Sequence, residues 1–305
     1  RHLEDEYAET VHLDHLGLAY AEIGKFHMAI DCYEQALLVA RKIGYRLGES
    51  SILGNLGIVY SELYKPEIAV GFQKQALQIA NEINYVPGQI GAYINLGIAY
   101  FALDDDSEAI DYYEKALDLA QHVGDKRGEA TSYVNLGKSY SRLGEHGLRK
   151  ALEFYEQAFM LNQTLEYKLG ESISVVNWGD AYASLKLPYK AIELYKNCID
   201  TVQIIGNLPI EFFTQGRLAS AYKDIGEFHE AINCYKQQLF LAQRMGNQEK
   251  EAISYTNLGM IYLNLRQFRE SIESLEKAID FYIRTKHPDA ENLARLLETA
   301  KGSLK

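Results

Sequence analysis

The chain has 305 residues, 47% of them hydrophobic, and a formal net charge of −11. That apolar content suffices for a core, while the negative charge repels phosphate backbones at long range and speaks against nucleic acid as a partner. No apolar run reaches the roughly 18 residues a membrane helix needs, so no membrane span is expected, and Cys32, Cys198 and Cys234 lie too far apart for a disulfide framework, which suits a reduced, cytoplasmic setting.

From its N-terminal end the sequence repeats itself. A first unit, about residues 8–47, carries His15-Leu16-Gly17 with Tyr20, a turn at Gly24-Lys25-Phe26, then Ala29, Ile30 and Tyr33. The second (48–87) has Asn55-Leu56-Gly57-Tyr60 and Ala69, and the third (88–127) has Asn95-Leu96-Gly97-Tyr100, Ala109 and Tyr113. The fourth (128–169) has Asn135-Leu136-Gly137-Tyr140, Ala151 and Tyr155, with two extra residues around Gly147. The fifth (170–209) and sixth (210–249) relax the pattern to Asn177-Trp178-Gly179-Tyr182 and Arg217-Leu218-Ala219-Tyr222, with Tyr195 and Tyr235 following. The seventh (250–289) restores Asn257-Leu258-Gly259-Tyr262 and carries Ser271 in place of alanine. The small residue thus recurs every 40 positions, with one step of 42.

Within each unit apolar residues recur at three- and four-residue steps, which is the helical period. Proline breaks helix interiors. Pro66 and Pro188 fall in the expected turn between the two helices of a unit, Pro87 and Pro209 between units, and Pro288 before the last helix. Residues 290–305 abandon the repeat; Leu293, Leu296, Leu297 and Ala300 form one apolar stripe opposed by Glu291, Arg295 and Lys301, as a helix capping the array would.

These motifs resemble the tetratricopeptide repeat family, whose first helix carries Leu-Gly-x-x-Tyr and whose second carries the small alanine. The resemblance implies an all-α fold, a right-handed superhelical solenoid of seven helical hairpins plus a C-terminal capping helix, here a single array over 1–305. The longer period implies helices extended by about a turn over the commoner repeat of about 34 residues, a variant similar to Partner-of-Inscuteable-type spindle adaptors and bacterial signalling proteins. Tyr64, Lys186 and Arg266 stand where other units have a turn glycine, and Ala219 replaces the close-packing glycine, which leaves the local turn shapes open.

In this family the first helices line a concave groove, which implies that the residues two before the small position face a partner: His15, Asn55, Asn95, Asn135, Asn177, Arg217 and Asn257. Asparagine is a mediocre helix former, and its carboxamide both donates and accepts, so such a ladder either grips the backbone of an extended peptide or bridges neighbouring helices. One turn further on, Ile58, Ile98 and Met260, with Phe101 and Leu263, make the groove apolar at units two, three and seven. Lys138, Arg142, Arg217 and Lys223 make it cationic, diluted by Asp180 and Asp224. An amphipathic or acidic protein segment fits such a groove. A scaffold or adaptor is the function this implies. The alternatives are a regulatory sensor arm of a larger signalling ATPase or caspase-like protease, and a receptor for a small signalling peptide. The uncapped start at Arg1 suits a covalently linked domain upstream.

No chemistry-bearing motif is complete. Gly137-Lys138-Ser139 mimics the end of a phosphate loop, but Ser132 stands where its first glycine belongs and no strand precedes it. His229-Glu230-Ala231-Ile232-Asn233 lacks the second histidine of a zinc-protease helix. His12 and His15 beside Asp14 read as surface residues, the cysteines as packing, and the carboxylates as lying on solvent faces. No enzymatic activity, cofactor or metal is expected.

Overall fold

The recurring residues fold into helical hairpins because each helix has one face that only its neighbours can bury. The computed structural model describes residues 2–304, and the chain divides into two compact units, one ending at Leu165 and the other beginning at Glu166. Among the described residues there are fifteen helices and no strand. The first unit holds α1 (His2–Glu22), α2 (Phe26–Ile43), α3 (Arg46–Glu62), α4 (Pro66–Glu82), α5 (Val86–Ala102), α6 (Asp106–Val123), α7 (Lys126–Ser141) and α8 (Gly144–Thr164). Consecutive helices pack as four hairpins, and the first helices α1, α3, α5 and α7 also lie beside one another. The second unit holds α9 (Lys168–Ser184), α10 (Pro188–Ile205), α11 (Leu208–Asp224), α12 (Phe228–Arg244), α13 (Gln248–Asn264), α14 (Phe268–Arg284) and α15 (Ala290–Leu304). It forms three hairpins, with α15 against α14 and α13.

From the second hairpin to the seventh, each first helix begins two residues before the boundary expected from sequence. Pro87 and Pro209 lie inside the first turn of α5 and α11, where no intrahelical N–H is needed. Pro66 and Pro188 open α4 and α10 in the same way.

The hairpins close at the recurring glycine. A Cβ added to Gly17 would lie 2.6 Å from the Tyr33 ring, one on Gly137 would lie 2.5 Å from Tyr155, and one on Gly179 would lie 2.6 Å from Tyr195. Gly97 sits against Tyr113 in the same manner. Gln73 takes the place of the tyrosine opposite Gly57, and Leu275 takes it opposite Gly259. In the sixth hairpin Ala219 keeps its methyl in the cluster that holds Tyr235, which remains 6% exposed against 1–2% for the other four tyrosines. The alanines at 29, 69, 109, 151, 191 and 231 are fully buried, and the Ser271 hydroxyl donates to the Gly259 carbonyl at 2.8 Å.

Left-handed residues mark the ends of helices with the same regularity. Gly24, Gly44, Gly124, Gly144, Gly206, Gly226 and Gly246 have positive φ, and so do Tyr64, Asn84, Asp104, Glu166, Lys186, Arg266 and Lys286. Tyr64, Lys186 and Arg266 do not reshape their turns: their φ values of 56°, 61° and 57° fall in the region the glycines occupy. This geometry costs an L-residue about 1–2 kcal/mol, which the packing of the flanking helices offsets.

The expectation that carboxylates lie on solvent faces needs correction. Glu49, Glu129, Glu171 and Glu211 are buried in the first turns of α3, α7, α9 and α11. Arg41 donates to Glu49 at 2.8 Å, Lys126 to Glu129 at 2.7 Å, Lys168 to Glu171 at 2.8 Å, and the Gln203 amide to Glu211 at 2.7 Å. The positive end of each helix dipole and a dedicated donor make this burial tolerable. At the far end α15 buries Leu293, Leu297 and Ala300 beside Leu275, Ala278 and Tyr282, so the expected apolar stripe faces the last hairpin.

The glycines therefore separate by role. Gly97→Ala should cost about 1–3 kcal/mol through overpacking against Tyr113. Gly71→Ala, where a Cβ meets nothing within 4 Å, should gain up to about 1 kcal/mol of helix propensity. Urea denaturation of both variants checks the opposite signs.

Candidate functional site

The burial pattern of each first helix fixes which residues remain on its open face. On α5, Ala92, Leu96 and Ala99 are buried to 4% exposure or less, while Ile98 is exposed and Asn95 half-buried. In the first unit the open face carries the amides of Asn55 and Asn95 in one row, with the buried Asn135 in the same register, and Leu18, Ile58, Ile98 and Lys138 in the next. Leu18, Ile58 and Ile98 are 40%, 44% and 39% exposed, a row of apolar side chains that water covers in the free protein.

The asparagines do not behave alike. Asn55 donates to Asp14 on α1 at 2.9 Å, bridging two first helices. Burial raises the Asp14 pKa, and this hydrogen bond opposes the rise. Asn257 donates to Gln238 on α12 at 3.2 Å, and Asn177 to the Ile173 carbonyl of its own helix at 2.7 Å. Asn135 is buried, and neither it nor Asn95 makes a hydrogen bond within its unit. Three of the five predicted contact amides thus already hold protein partners.

Two of the four predicted cationic residues are also spoken for. Arg142 pairs with Asp104 and, at 3.3 Å, with Asp106; it donates to the Phe101 carbonyl at 3.0 Å, and its guanidinium lies 4.5 Å from the Phe101 ring centre. Phe101 and Arg142 are therefore a structural clasp across α5 and α7. Arg217 spends its Nε on both oxygens of Asp180, each at 2.8 Å, and Tyr195 donates its hydroxyl to the same carboxylate at 2.6 Å. Burial, then the Asp180 charge, holds the Tyr195 phenol far above its ordinary pKa. Lys138 and Lys223 make no ion pair among the described residues, and burial lowers the Lys138 pKa.

In the second unit a cavity of about 300 Å³ opens between α9 and α11. Ile173, Val176 and the half-exposed Phe213 give it an apolar floor, and Asn177 and Arg217 supply its polar edge. The Lys250 ammonium lies 5.4 Å from the Phe213 ring centre. A second, smaller cavity between α3 and α5 is lined by Asn55, Asn95, Ile58 and the buried Gln73. Two contributors here escaped sequence reading. Phe213 precedes Arg217 by one helical turn, and Gln73 stands where five hairpins have tyrosine; both signals are visible in the sequence.

The cysteines carry no nucleophile. All three are buried free thiols whose pKa values burial raises, that of Cys234 to about 11, so little thiolate exists at neutral pH. Among the described residues no group of three metal-ligating side chains converges, and no helix is long and apolar enough to cross a membrane.

A family model described as tetratricopeptide repeat matches residues 7–82, 89–162 and 211–284. None of the curated protein sequences matches the chain. Solved structures share its fold. A Pyrococcus horikoshii signal transduction ATPase with numerous domains, bearing a tetratricopeptide repeat sensor, superposes with a TM-score of 0.72 at 19% identity over 97% of this chain; the chain spans 44% of that protein. A Rap protein complexed with competence and sporulation factor gives 0.66 at 16% identity, covering 96% of this chain and 76% of that one. The apo quorum sensor NprR from B. thuringiensis gives 0.66 at 15% identity, with coverage of 99% and 88%. At these identities the likeness concerns the fold.

Lys138 is a test of the open face. It is desolvated without a counter-charge, so the charged form is penalised at every pH below its lowered pKa. Lys138→Met should therefore raise the melting temperature by about 1–3 °C at neutral pH. The gain should shrink as pH rises towards the lysine's own pKa, where the native side chain becomes neutral. Calorimetric scans at neutral and alkaline pH measure it.

Proposed function

This chain belongs to the tetratricopeptide repeat family, and we propose that it binds a segment of another protein, or a peptide, on the open faces of its first helices, and that it does so without catalysing a reaction. The observation that supports this most is the α9–α11 cavity, where an apolar floor and a half-exposed phenylalanine meet Asn177 and Arg217. Such a combination suits an apolar anchor side chain flanked by peptide backbone. Nε of Arg217 is committed to Asp180, which leaves its Nη donors for a ligand carbonyl or carboxylate. These donors favour a segment that carries an acidic residue beside its apolar anchor. The buried reduced thiols are compatible with a cytoplasmic location.

A second reading is a sensor arm within a larger protein. It is supported by the likeness to the repeat sensor of the archaeal ATPase, of which this chain spans 44%. In that case the bound segment is a signal, and the face that binds it is the same one. The third reading, a receptor for a small signalling peptide, draws on the Rap and NprR folds and again uses this face.

The experiment is a selection from a random peptide display library on the intact chain, followed by calorimetry of the selected peptides on variants. Phe213→Ala should weaken binding by about thirtyfold, as the loss of an interface anchor does. Arg217→Ala should weaken acidic peptides selectively, and more so at low salt. Peptides that bind both variants as tightly as the native chain would place recognition elsewhere on the molecule.

A further inference from the structure

One first helix carries a buried amide where its counterparts carry apolar or aromatic side chains. Four positions before the small residue, the other six hairpins place Leu13, Leu53, Tyr93, Tyr133, Val175 and Tyr255; the sixth places Gln215. Gln215 is 7% exposed and makes no hydrogen bond among the described residues. Its amide is not sealed off as the Gln73 oxygen is, and it lines a cavity of about 410 Å³ among α10, α11 and α12. A buried amide without partners is costly, and a leucine or valine here would carry no such penalty. Gln238 on α12, also buried, is paired on both sides, by Phe212 and Asn257.

This cavity faces away from the one between α9 and α11. At about 3.6 residues per turn, Gln215, Leu218 and Tyr222 lie on the side of α11 opposite Phe213 and Arg217. Its floor is apolar, made by the buried Ile199, Leu218 and Cys234. Its rim is polar. Asp200 on α10 and Glu230 on α12 are exposed carboxylates that make no ion pair among the described residues. The one cation of the wall, Lys196, hydrogen-bonds to Tyr222 and lies 5.5 Å from its ring centre. Asn233 and Gln237 add neutral amides. With two carboxylates against one ammonium, the wall is net negative.

We propose that this cavity is a second binding site, which takes the side chain of an arginine on a partner protein. It is independent of the open-face reading, since the two cavities share no residue. The chemistry selects the occupant. A guanidinium carries only donors, fanned out in one plane, so it pairs with the Gln215 oxygen and a rim carboxylate together. Its three-carbon stem lies on the apolar floor, as long cationic side chains do. An apolar side chain leaves the Gln215 amide unpaired, and an acidic one meets Asp200 and Glu230. A neutral carboxamide pairs with Gln215 but gains nothing from the carboxylates. A lysine ammonium is more strongly hydrated and loses more on entering a half-apolar cavity. Lys196 opposes any second cation, and the two carboxylates outnumber it.

Capped single amino acids test the site on the full chain by calorimetry. The N-acetyl, N-methylamide derivative of arginine should bind saturably, about tenfold or more tightly than those of lysine and of citrulline, its uncharged counterpart. Added salt should weaken the arginine derivative and leave citrulline little changed. Gln215→Leu restores the side chain found at 13 and 53. It should raise the melting temperature by about 2 °C or more and lower arginine affinity about fivefold. Asp200→Asn combined with Glu230→Gln changes only exposed side chains, and keeps the test open should Gln215→Leu misfold. This pair should erase the preference for arginine over citrulline. No saturable binding of the arginine derivative, equal affinity for citrulline, or a preference that survives the Asp200 and Glu230 pair would overturn the proposal. Free arginine bound more tightly than the capped residue would make this a site for a free amino acid and overturn the partner contact.

Discussion

A tyrosine ring pressed against a residue with no side chain sets the distance between the two helices of a hairpin, and what the helices present follows from it. The Tyr33, Tyr113 and Tyr195 phenols are held above their ordinary pKa chiefly by burial, as expected of rings that form the core rather than decorate it. With the glycine turned inward, helix geometry assigns the remaining positions. The leucine just before it faces the core, and the residues two before and one after it stand at the edge of the open face. Leu96 is fully buried, while its neighbour Ile98 is 39% exposed. Hairpins with glutamine, leucine or an alanine at this contact keep the helices in place but change what lies beneath them.

Polar groups carry the distinctions between hairpins, because a buried donor or acceptor must be paired or else remain costly. Four glutamates enter the core at helix N-termini, and each takes a donor with it. Gln238 is satisfied on both sides by Phe212 and Asn257. Gln73 is satisfied on one side only, and it lines a cavity. The same reasoning sorts the cations. Arg142 and Arg217 are bound to aspartates, which tie neighbouring helices together, and Lys138 is left to interact with whatever arrives.

Stability and recognition therefore draw on different residues of one helix. The inward stripe of Leu, Gly and Ala answers to packing, and substitutions there act on the fold. On the outward stripe the exposed Ile58 and Ile98 add little to that packing, while Asn55, Asn177 and Asn257 hold partners within the protein. An exposed row such as Leu18, Ile58 and Ile98 gains nothing for the isolated chain, since its apolar surface remains in water.

The sequence by itself determined the hairpins, because their signals are local. A 40-residue recurrence of small residue and tyrosine, helical spacing of apolar residues and five prolines near helix starts follow from backbone geometry and burial, and each is readable within one unit. The apolar stripe of α15 was readable for the same reason. Local pattern left some turns open: those with Tyr64, Lys186 or Arg266 keep the left-handed geometry of glycine, since packing of the flanking helices outweighs about 1–2 kcal/mol of strain. The use of each polar side chain was decided only by the tertiary structure. Asn55 and Asn95 are identical in sequence register, yet one meets Asp14 from a neighbouring hairpin and the other has no such partner. Hydrogen bonds and ion pairs reach across some 3 Å between residues about 40 apart in the chain. Periodicity places a residue on a face, but only the packed helices determine which atoms it meets there.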